Sequence, residues 1–360
     1  KRSEGVGVSV NSSVTMEQIA FLPEFQNKYG QGSGGVFAYE DGLGGGTGDG
    51  GLVSFGPEMN DQLITQYDGP SYDQNGNPVR GGDVIARQGN PITPTPWTAN
   101  PDNVRSFFKT GVTSQHNIAF SGANDDGSFR LSYTRMDHEG TIPNTDYKRN
   151  NLSFTGTYNL SEKLSIRAFG TFINSSSNHR PGLGYGSENV MYSFLWMGRQ
   201  VNLDATEDYW QAGQEGFQQF NYNTQWLDNP YFNVFENRNG FNKNRLLGNA
   251  VLSYKITDNL KLRFRSGVDT YADLRTSRRA FSTQRFPNGA YREDDVDFTE
   301  INTDLLLSYD KKISEKWSIN AAIGANNFTQ QTRYKSLTAG QLSVPGIYNF
   351  ENAKVALEAS

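Results

Sequence analysis

Several residue types and segments are absent or scarce in this 360-residue chain, and each absence narrows the possible functions. There is no cysteine, which excludes disulfides, thiol nucleophiles and cysteine-based zinc sites. Three histidines (His116, His138 and His179) are too few for a histidine-rich metal site. No run of about 18 apolar residues could form a transmembrane helix. With a net charge of −5, nothing favours a nucleic-acid partner.

The strongest positive feature is period-two alternation of apolar and polar residues, which is typical of β-strands. In 259–275, Leu262 and Phe264 stand at even-numbered positions and Arg263 and Arg265 at odd-numbered positions, so in a strand the two pairs would lie on opposite faces. We call the positions on the apolar side of a strand its apolar parity. Some of these segments are much longer than the roughly 5–6 residues of an ordinary strand. The alternation predicts nine strands, at 5–16, 114–122, 127–137, 147–159, 163–176, 243–256, 259–275, 297–310 and 316–332.

The connections between these strands alternate between short turns and mostly long loops. The long segments are 17–113, 176–241, 276–297 and the chain from 333 onward. This order predicts an all-β, antiparallel up-and-down meander, with every short turn at one end and every long loop at the other. Two helices are expected beside the strands, one over 15–25 capped by Thr15 and one over 187–201 capped by Ser187.

Three turns begin with a tyrosine on the apolar parity: Tyr158, Tyr254 and Tyr309. Aromatic residues at one height on the apolar face are typical of the interfacial girdle of a membrane barrel. The alternative is a set of cross-strand aromatic pairs in the sheet of a soluble protein.

Strand length separates a membrane barrel from a soluble sheet. A strand that crosses the hydrocarbon core at a tilt needs about 9–11 residues, which the predicted strands supply. An arginine on the lipid face would cost about 2–4 kcal/mol at mid-membrane. We therefore expect Arg167, Lys261, Arg263 and Arg265 to face the lumen, where a plug would pack. The second possibility for these cations is contact with a substrate. Nine strands is an odd number, so the chain is expected to be a fragment of a larger barrel.

Several segments resemble SusC/RagA-type TonB-dependent outer-membrane transporters. They are "GVGVSVNSSVT" and "LPEFQNKYGQG" near the start, "FGPEMNDQ" (55–62), "NVRSFFKTGVTSQHNIAFSGANDDGSFRLSYT" (103–134) and "EGTIPNTDYKRNNLSFTGTYNLSEKLSI" (139–166). The last two are the most specific. Most of these motifs lie in the first half of the chain. The second half resembles the family in its general pattern and not in specific motifs.

The resemblance implies that residues 1–360 form about 9 strands of a 22-stranded barrel. Lys1–Gly5 would follow the plug domain, and the TonB-contacting segment, the plug and the last strands would lie outside this chain. The loops at 17–113 and 177–241 would be extracellular. The implied function is import of large nutrients, foremost oligosaccharides and sometimes peptides, across the outer membrane of a Gram-negative cell. A SusD-like surface lipoprotein and the TonB complex would be the partners, with neither enzymatic activity nor a cofactor.

Aromatic residues crowd the loop at 185–235, where they could stack against sugar rings. We take Tyr185, Trp196, Trp210, Tyr222 and Trp226 as candidate contacts with substrate or partner. Of these, Trp210, Tyr222 and Trp226 stand among Gln and Asn and are expected to be exposed. The alternative is that these rings form a small core within the loop.

Other motifs give only weak support for a phosphate, calcium or catalytic site. "DGLGGGTGDGG" (41–51) lacks the Lys-Ser/Thr ending of a phosphate-binding loop, so a plain glycine-rich loop is expected. Asp41 and Asp49 lack the ligand spacing of an EF-hand calcium site. "SNHRPG" (177–182) is expected to contribute an ordinary polar histidine.

Two other classes of protein fit part of the pattern. One is a β-rich surface carbohydrate-binding or adhesin domain, which would bury the apolar face against a second sheet. The other is a β-rich glycoside hydrolase, which would need two carboxyl groups about 5–10 Å apart.

Overall fold

The computed structural model describes residues 5–44 and 48–360, and its main feature is one large antiparallel sheet. The strands in chain order are β1 (Gly5–Glu17), β2 (Leu63–Ile64), β3 (Pro70–Tyr72), β4 (Pro78–Arg80), β5 (Thr95–Pro96), β6 (Gly111–Ala123), β7 (Gly127–Glu139), β8 (Asp146–Asn159), β9 (Leu164–Ser177), β10 (Asn239–Lys255), β11 (Leu260–Thr283), β12 (Phe286–Lys312), β13 (Ser318–Ala339) and β14 (Glu358–Ala359).

Ten of these strands form the large sheet, in the order β1-β6-β7-β8-β9-β10-β11-β12-β13-β14. From β6 to β14, each strand pairs with its neighbours in sequence, so the predicted up-and-down meander is confirmed. The other four strands form two small ladders, β2 with β5 and β3 with β4, inside the loop that joins β1 to β6. All nine predicted strands are present.

Helices are few and short. They are α1 (Val84–Arg87), α2 (Asn103–Phe107), α3 (Val190–Trp196) and α4 (Pro230–Glu236), with 3-10 turns at Leu203–Thr206 and Phe350–Asn352. Within the described ranges, no helix combines the length and hydropathy needed to cross a membrane.

Both helix predictions need correction. Thr15 lies in β1 and pairs with Thr113, and no helix follows it. The predicted helix over 187–201 is shorter, and its cap is Asn189, whose side chain accepts a hydrogen bond from the Met191 amide at 3.0 Å. The backbone ladder of β1 therefore prevails over the local helix signal at Thr15.

The predicted loop over 276–297 is wrong, because β11 and β12 continue through it as a hairpin whose turn is Gln284 and Arg285. Register is unbroken, with Arg278 opposite Tyr291 and Phe281 opposite Asn288. The segment lacks clear apolar alternation because the hairpin extends above the apolar part of the sheet. Likewise, β13 runs on to Ala339 rather than ending near 332.

The two faces of the sheet differ sharply. On the apolar face, side chains from adjacent strands stand in register, as in the row Tyr133, Leu152, Phe172 and Leu246. All four are exposed, and within the described residues no second sheet covers them. Large apolar side chains that face water on a whole sheet are unusual in a soluble protein.

The apolar face ends at a polar row, which we call the asparagine row. It consists of Arg135, Asn150, Asn174 and Asn244, which lie directly opposite one another on β7 to β10. Asn174 donates to Asn244 at 2.9 Å, and the Arg135 guanidinium donates to Asn150 at 3.3 Å. On β10, Asn244 of this row lies ten residues before Tyr254 near the turn, which is about 33 Å along the strand.

At the opposite end from the short turns, the loops 18–110 and 178–238 fold together into one unit, which we call the loop module. Its buried core combines Tyr67, Val104 and Phe107 from the first loop with Phe194 and Tyr231 from the second. The Phe107 ring lies 5.0 Å from the rings of both Phe194 and Tyr231, edge to face. Because neither loop holds this core alone, each one fixes the conformation of the other.

The shared core predicts a local stability test. Phe194 is 0% exposed, whereas the adjacent Leu195 is 57% exposed. Phe194→Ala should destabilise the loop module by about 3–5 kcal/mol, while Leu195→Ala should change little. Amide hydrogen exchange measured over α3, α4 and the sheet checks this: Phe194→Ala should speed exchange in both helices and leave β6 to β13 protected. Equal effects of the two substitutions would contradict the packing.

Candidate functional site

A cavity of about 610 Å³ opens where the loop module meets the β11–β12 turn. Helix α3 places Tyr192 and Trp196 on one side of it, since residues four apart share a helix face. The turn after β11 supplies Gln284 and Arg285. The full lining is Leu52, Tyr185, Gly186, Ser187, Tyr192, Trp196, Trp226, Gln284 and Arg285. We call this space the aromatic cavity.

The rings of the aromatic cavity are ordered by contact with one another. Tyr185 and Tyr192 lie edge to face with centroids 4.7 Å apart, and Trp196 lies 6.4 Å from Tyr192. Tyr185 and Trp226 are both more than half exposed. The cavity therefore offers flat apolar surfaces that water or a ligand can reach.

Polar groups lie between these rings. Gly186 packs beside the Arg285 guanidinium, since a Cβ built on Gly186 would lie 3.6 Å from it. Arg285 forms no ion pair with any described residue. Ser187 is 3% exposed, and its hydroxyl lies near the buried Asp228 carboxyl. The Arg285 guanidinium is thus available to a polar ligand.

A buried carboxylate supports the turn that carries Arg285. Asp228 Oδ1 accepts from the Gln284 backbone amide and from the Gln219 side chain, both at 2.8 Å. Asp228 is fully buried, and desolvation raises the pKa of its carboxyl. These bonds fix the turn relative to the loop module, so the position of Arg285 is set by the loop core.

The structure brings together three of the five predicted aromatic contacts, namely Tyr185, Trp196 and Trp226. Tyr222 is only 3% exposed, so the expectation that it faces solvent is wrong. Trp210 is partly buried, with its ring edge to face with Phe232 at 5.3 Å. For Tyr222 and Trp210 the alternative of a loop core is correct.

The neighbouring amides explain this error, because they are buried rather than solvated. Asn229 is fully buried; its Oδ1 accepts from the amides of Tyr231 and Phe232, and its Nδ2 donates to the carbonyls of Thr206 and Phe220. Asn229 thereby caps α4 and ties it to the core. An asparagine followed directly by a proline is the signal in the sequence that could have predicted the start of α4.

The predicted lumen-facing cations all lie on the polar face of the sheet. Two of them find a partner there: Arg265 Nε lies 2.5 Å and Arg263 lies 3.9 Å from the Asp304 carboxylate on β12. Arg167 and Lys261 are exposed and form no ion pair among the described residues. The charge stripe is thus partly neutralised within the sheet. Asp304 shares this face, but the alternation within β11 gives no sign of it.

The three tyrosines lie where the sequence places them, on the apolar face beside the short turns. Tyr158 stands opposite Ile166, Tyr254 opposite Leu262, and Tyr309 opposite Leu260. None of these three tyrosines faces another ring across its ladders, so the alternative of cross-strand aromatic pairs is wrong for them.

The weaker motifs also have structural roles. The Asp49 carboxylate accepts hydrogen bonds from four backbone amides, those of Glu40, Asp41, Gly42 and Gly44. Asp49 therefore fixes the conformation of the loop. Among the described residues, no group of acidic residues or histidines could hold a metal ion. Residues 45–47 of the glycine-rich stretch, like residues 1–4, lie outside the described part.

His179 lies at the junction between β9 and the loop module and is buried, unlike the ordinary polar histidine that we expected. Its amide donates to Asp146 at 3.1 Å, and its Nδ1 accepts from the Asn239 amide at 3.3 Å. Desolvation, with smaller contributions from Arg238 and Arg279, lowers the pKa of His179 to about 4.

This pKa predicts a pH-dependent junction. The unfolded imidazole takes up a proton below about pH 6.5, whereas the folded one stays neutral to about pH 4, so stability falls as pH drops through this window. The loss should approach about 2–3 kcal/mol. Urea unfolding between pH 4 and 7 measures it. His179→Gln should flatten the profile and the exposed-site control His116→Gln should not; an unchanged slope in His179→Gln would refute the assignment.

Taken together, the fold is a partial β-barrel wall with a folded loop module at one end and an aromatic cavity in that module. Solved structures of known proteins share this fold. A chain in a structure of the RagAB peptide transporter matches 72% of this chain at 18% identity with a TM-score of 0.57. Structures of the RagAB peptide importer in the "closed-closed" and "open-open" states match at 20% identity, with TM-scores of 0.55 and 0.53.

This likeness confirms, at the level of the fold, the resemblance to SusC/RagA-type transporters. The match spans 72% of this chain but only 29% of each of those chains. No family model matches the sequence, and no curated protein matches it.

Proposed function

We propose that this chain is part of the barrel of a TonB-dependent transporter that imports large nutrients across the outer membrane of a Gram-negative cell. The observation that carries the proposal is the exposed apolar face of the sheet. It extends from Tyr254 near the turns to Asn244 in the asparagine row, about 33 Å along the strand. At a strand tilt of about 40°, this length spans about 25 Å along the membrane normal, which is the height of the apolar band of a membrane barrel.

The competing classes need that face to be covered. A soluble binding domain or a β-rich hydrolase buries the apolar face of its sheet against a second layer. Here the loop module packs at the strand ends instead, and the rings of Phe154, Phe172 and Phe264 remain exposed on the face itself. Lipid is the solvent in which this arrangement is stable.

A pair of adjacent substitutions tests the orientation of the sheet. Phe154 lies on the apolar face and Thr155 on the polar face of β8, and both are exposed. Phe154→Arg should destabilise the barrel by about 2–4 kcal/mol in a bilayer, because it buries a guanidinium in hydrocarbon. Thr155→Arg should cost far less. Equilibrium unfolding of the complete transporter in lipid vesicles measures both, and equal costs would argue against a lipid-facing surface.

The loop module would then lie outside the cell and receive the nutrient. A SusD-like surface lipoprotein would close over it, since Leu183, Tyr185, Leu195 and Phe217 give the module exposed apolar side chains suited to a partner. The polar face would line the lumen, with Arg167 and Lys261 directed at the plug. TonB would act on the plug rather than on the strands described here.

The aromatic cavity supports an oligosaccharide as the imported class. Sugar rings stack on flat aromatic faces such as Trp226, and their hydroxyls need polar partners such as the side chains of Arg285 and Gln284. A peptide is the second candidate, because the similar solved structures are those of a peptide transporter. An aromatic side chain and a carboxylate of a peptide would use the same rings and the same arginine.

Ligand panels separate these two classes. The full transporter with its lipoprotein would be titrated by calorimetry against oligosaccharides and against peptides. Trp226→Ala should weaken binding of the correct class by about 10-fold or more, and Arg285→Gln should do so most for acidic ligands. Trp317→Ala is the matched control, since Trp317 is exposed near the short turns. Unaltered binding by Trp226→Ala would remove the cavity from the proposal.

A further inference from the structure

A second cavity, of about 800 Å³, lies on the apolar-parity face of the sheet, beyond the asparagine row. Four cations line it: Lys109, Lys148, Arg238 and Arg278. Arg238 lies an even number of residues before the exposed Leu246 of β10, and Arg278 lies an even number of residues after the exposed Phe264 along β11. Both arginines therefore share the apolar face, which is the outer side of the barrel wall. We call this surface the basic cavity.

The basic cavity holds cations that the chain itself leaves without counter-ions. Among the described residues, Lys148, Arg238 and Arg278 form no ion pair, and Lys109 approaches Glu139 only at 3.8 Å. Arg238 and Arg278 exchange backbone hydrogen bonds of 3.1 and 2.8 Å, so two like charges stand directly opposite each other. Like charges in such positions repel, unless an anion lies between them.

Three acidic residues line the same cavity; Glu139 lies beside Lys109, and the other two are engaged elsewhere. Asp137 binds the Arg135 guanidinium at 2.6 Å, and Asp146 accepts from the amides of Asn178 and His179. Glu236, which lies near Arg238, accepts from the Tyr209 hydroxyl at 2.9 Å. The cavity therefore presents three cations to an outside ligand, Lys148, Arg238 and Arg278.

The position of the basic cavity along the strands, relative to the end of the apolar face, indicates which ligand it would bind. Lys148 stands one step beyond Asn150 on β8, and therefore just past the asparagine row at which the apolar face ends. If the apolar face contacts hydrocarbon, these cations lie at the level of the lipid headgroups on the loop side. Planar guanidinium groups match phosphate oxygens in geometry, and two adjacent arginines can hold one phosphate from both sides.

We propose that the basic cavity binds the phosphate-bearing headgroup of a glycolipid in the outer leaflet of the membrane. The proposal rests on the proposed function, because it requires the sheet to span the bilayer. It adds a specific lipid site on the outer wall of the barrel, separate from the aromatic cavity. The bound headgroup would also neutralise Arg238 and Arg278 and so steady the junction of β10, β11 and the loop module.

The test uses the complete transporter, extracted from its own membrane and analysed by native mass spectrometry for bound phosphorylated glycolipid. Wild-type protein should retain the lipid, and the double variant Arg238→Gln/Arg278→Gln should retain about tenfold less. The charge-matched control is Arg130→Gln/Lys255→Gln, two exposed cations near the short turns. The control should retain the lipid as the wild type does.

Two further measurements complete the test. Competition with inorganic phosphate identifies the source of the bound phosphate, and vesicle flotation separates the lipid-site proposal from the proposed membrane function. Millimolar inorganic phosphate should fail to displace the lipid; displacement would show a site for a soluble anion and overturn the lipid proposal. Flotation with vesicles first establishes membrane insertion. Failure to insert would refute the membrane function itself, whereas normal insertion with equal lipid retention in all variants would refute only the basic cavity.

Discussion

The antiparallel ladder from β6 to β13 is the constraint on which the rest of the structure depends. Its register is continuous, so the face of every side chain is fixed by parity alone. A shift of one residue would send Phe154 to the polar side and Thr155 to the apolar side. The apolar face, the asparagine row and the paired charges around Asp304 all follow from this one register.

The loop module gives that wall a candidate binding surface. Its two loops are separated by four strands in sequence, yet they share one core of buried rings around Phe107 and Phe194. Buried amides such as Asn229, and the Asp228 bond to Gln284, transmit this rigidity to the β11–β12 turn. Arg285 therefore meets Trp226 and Tyr185 on a prepared surface, which reduces the ordering cost of binding.

Much of the fold could be predicted from the sequence because period-two alternation reports directly on a two-faced strand. All nine strands and the positions of Tyr158, Tyr254 and Tyr309 follow from it. The hairpin over 276–297 could not be predicted this way, since above the apolar face neither side needs apolar residues. Tyr222 was misplaced because buried amides and solvated amides look alike in sequence. The pairing of Arg265 with Asp304 depends on cross-strand register, which one strand alone does not reveal.

This chain holds no cysteine, so single cysteines placed in it, in a transporter freed of any cysteine elsewhere, test directly the central claim that the apolar face contacts lipid. Single cysteines placed in turn at positions 152 to 158 of β8 would carry a spin label in the complete transporter in vesicles. Accessibility to oxygen, which concentrates in hydrocarbon, should be high at 152, 154, 156 and 158 and low at the three positions between them. A water-soluble relaxing agent should show the opposite order at those positions. High accessibility of the even positions to the water-soluble agent would contradict the account.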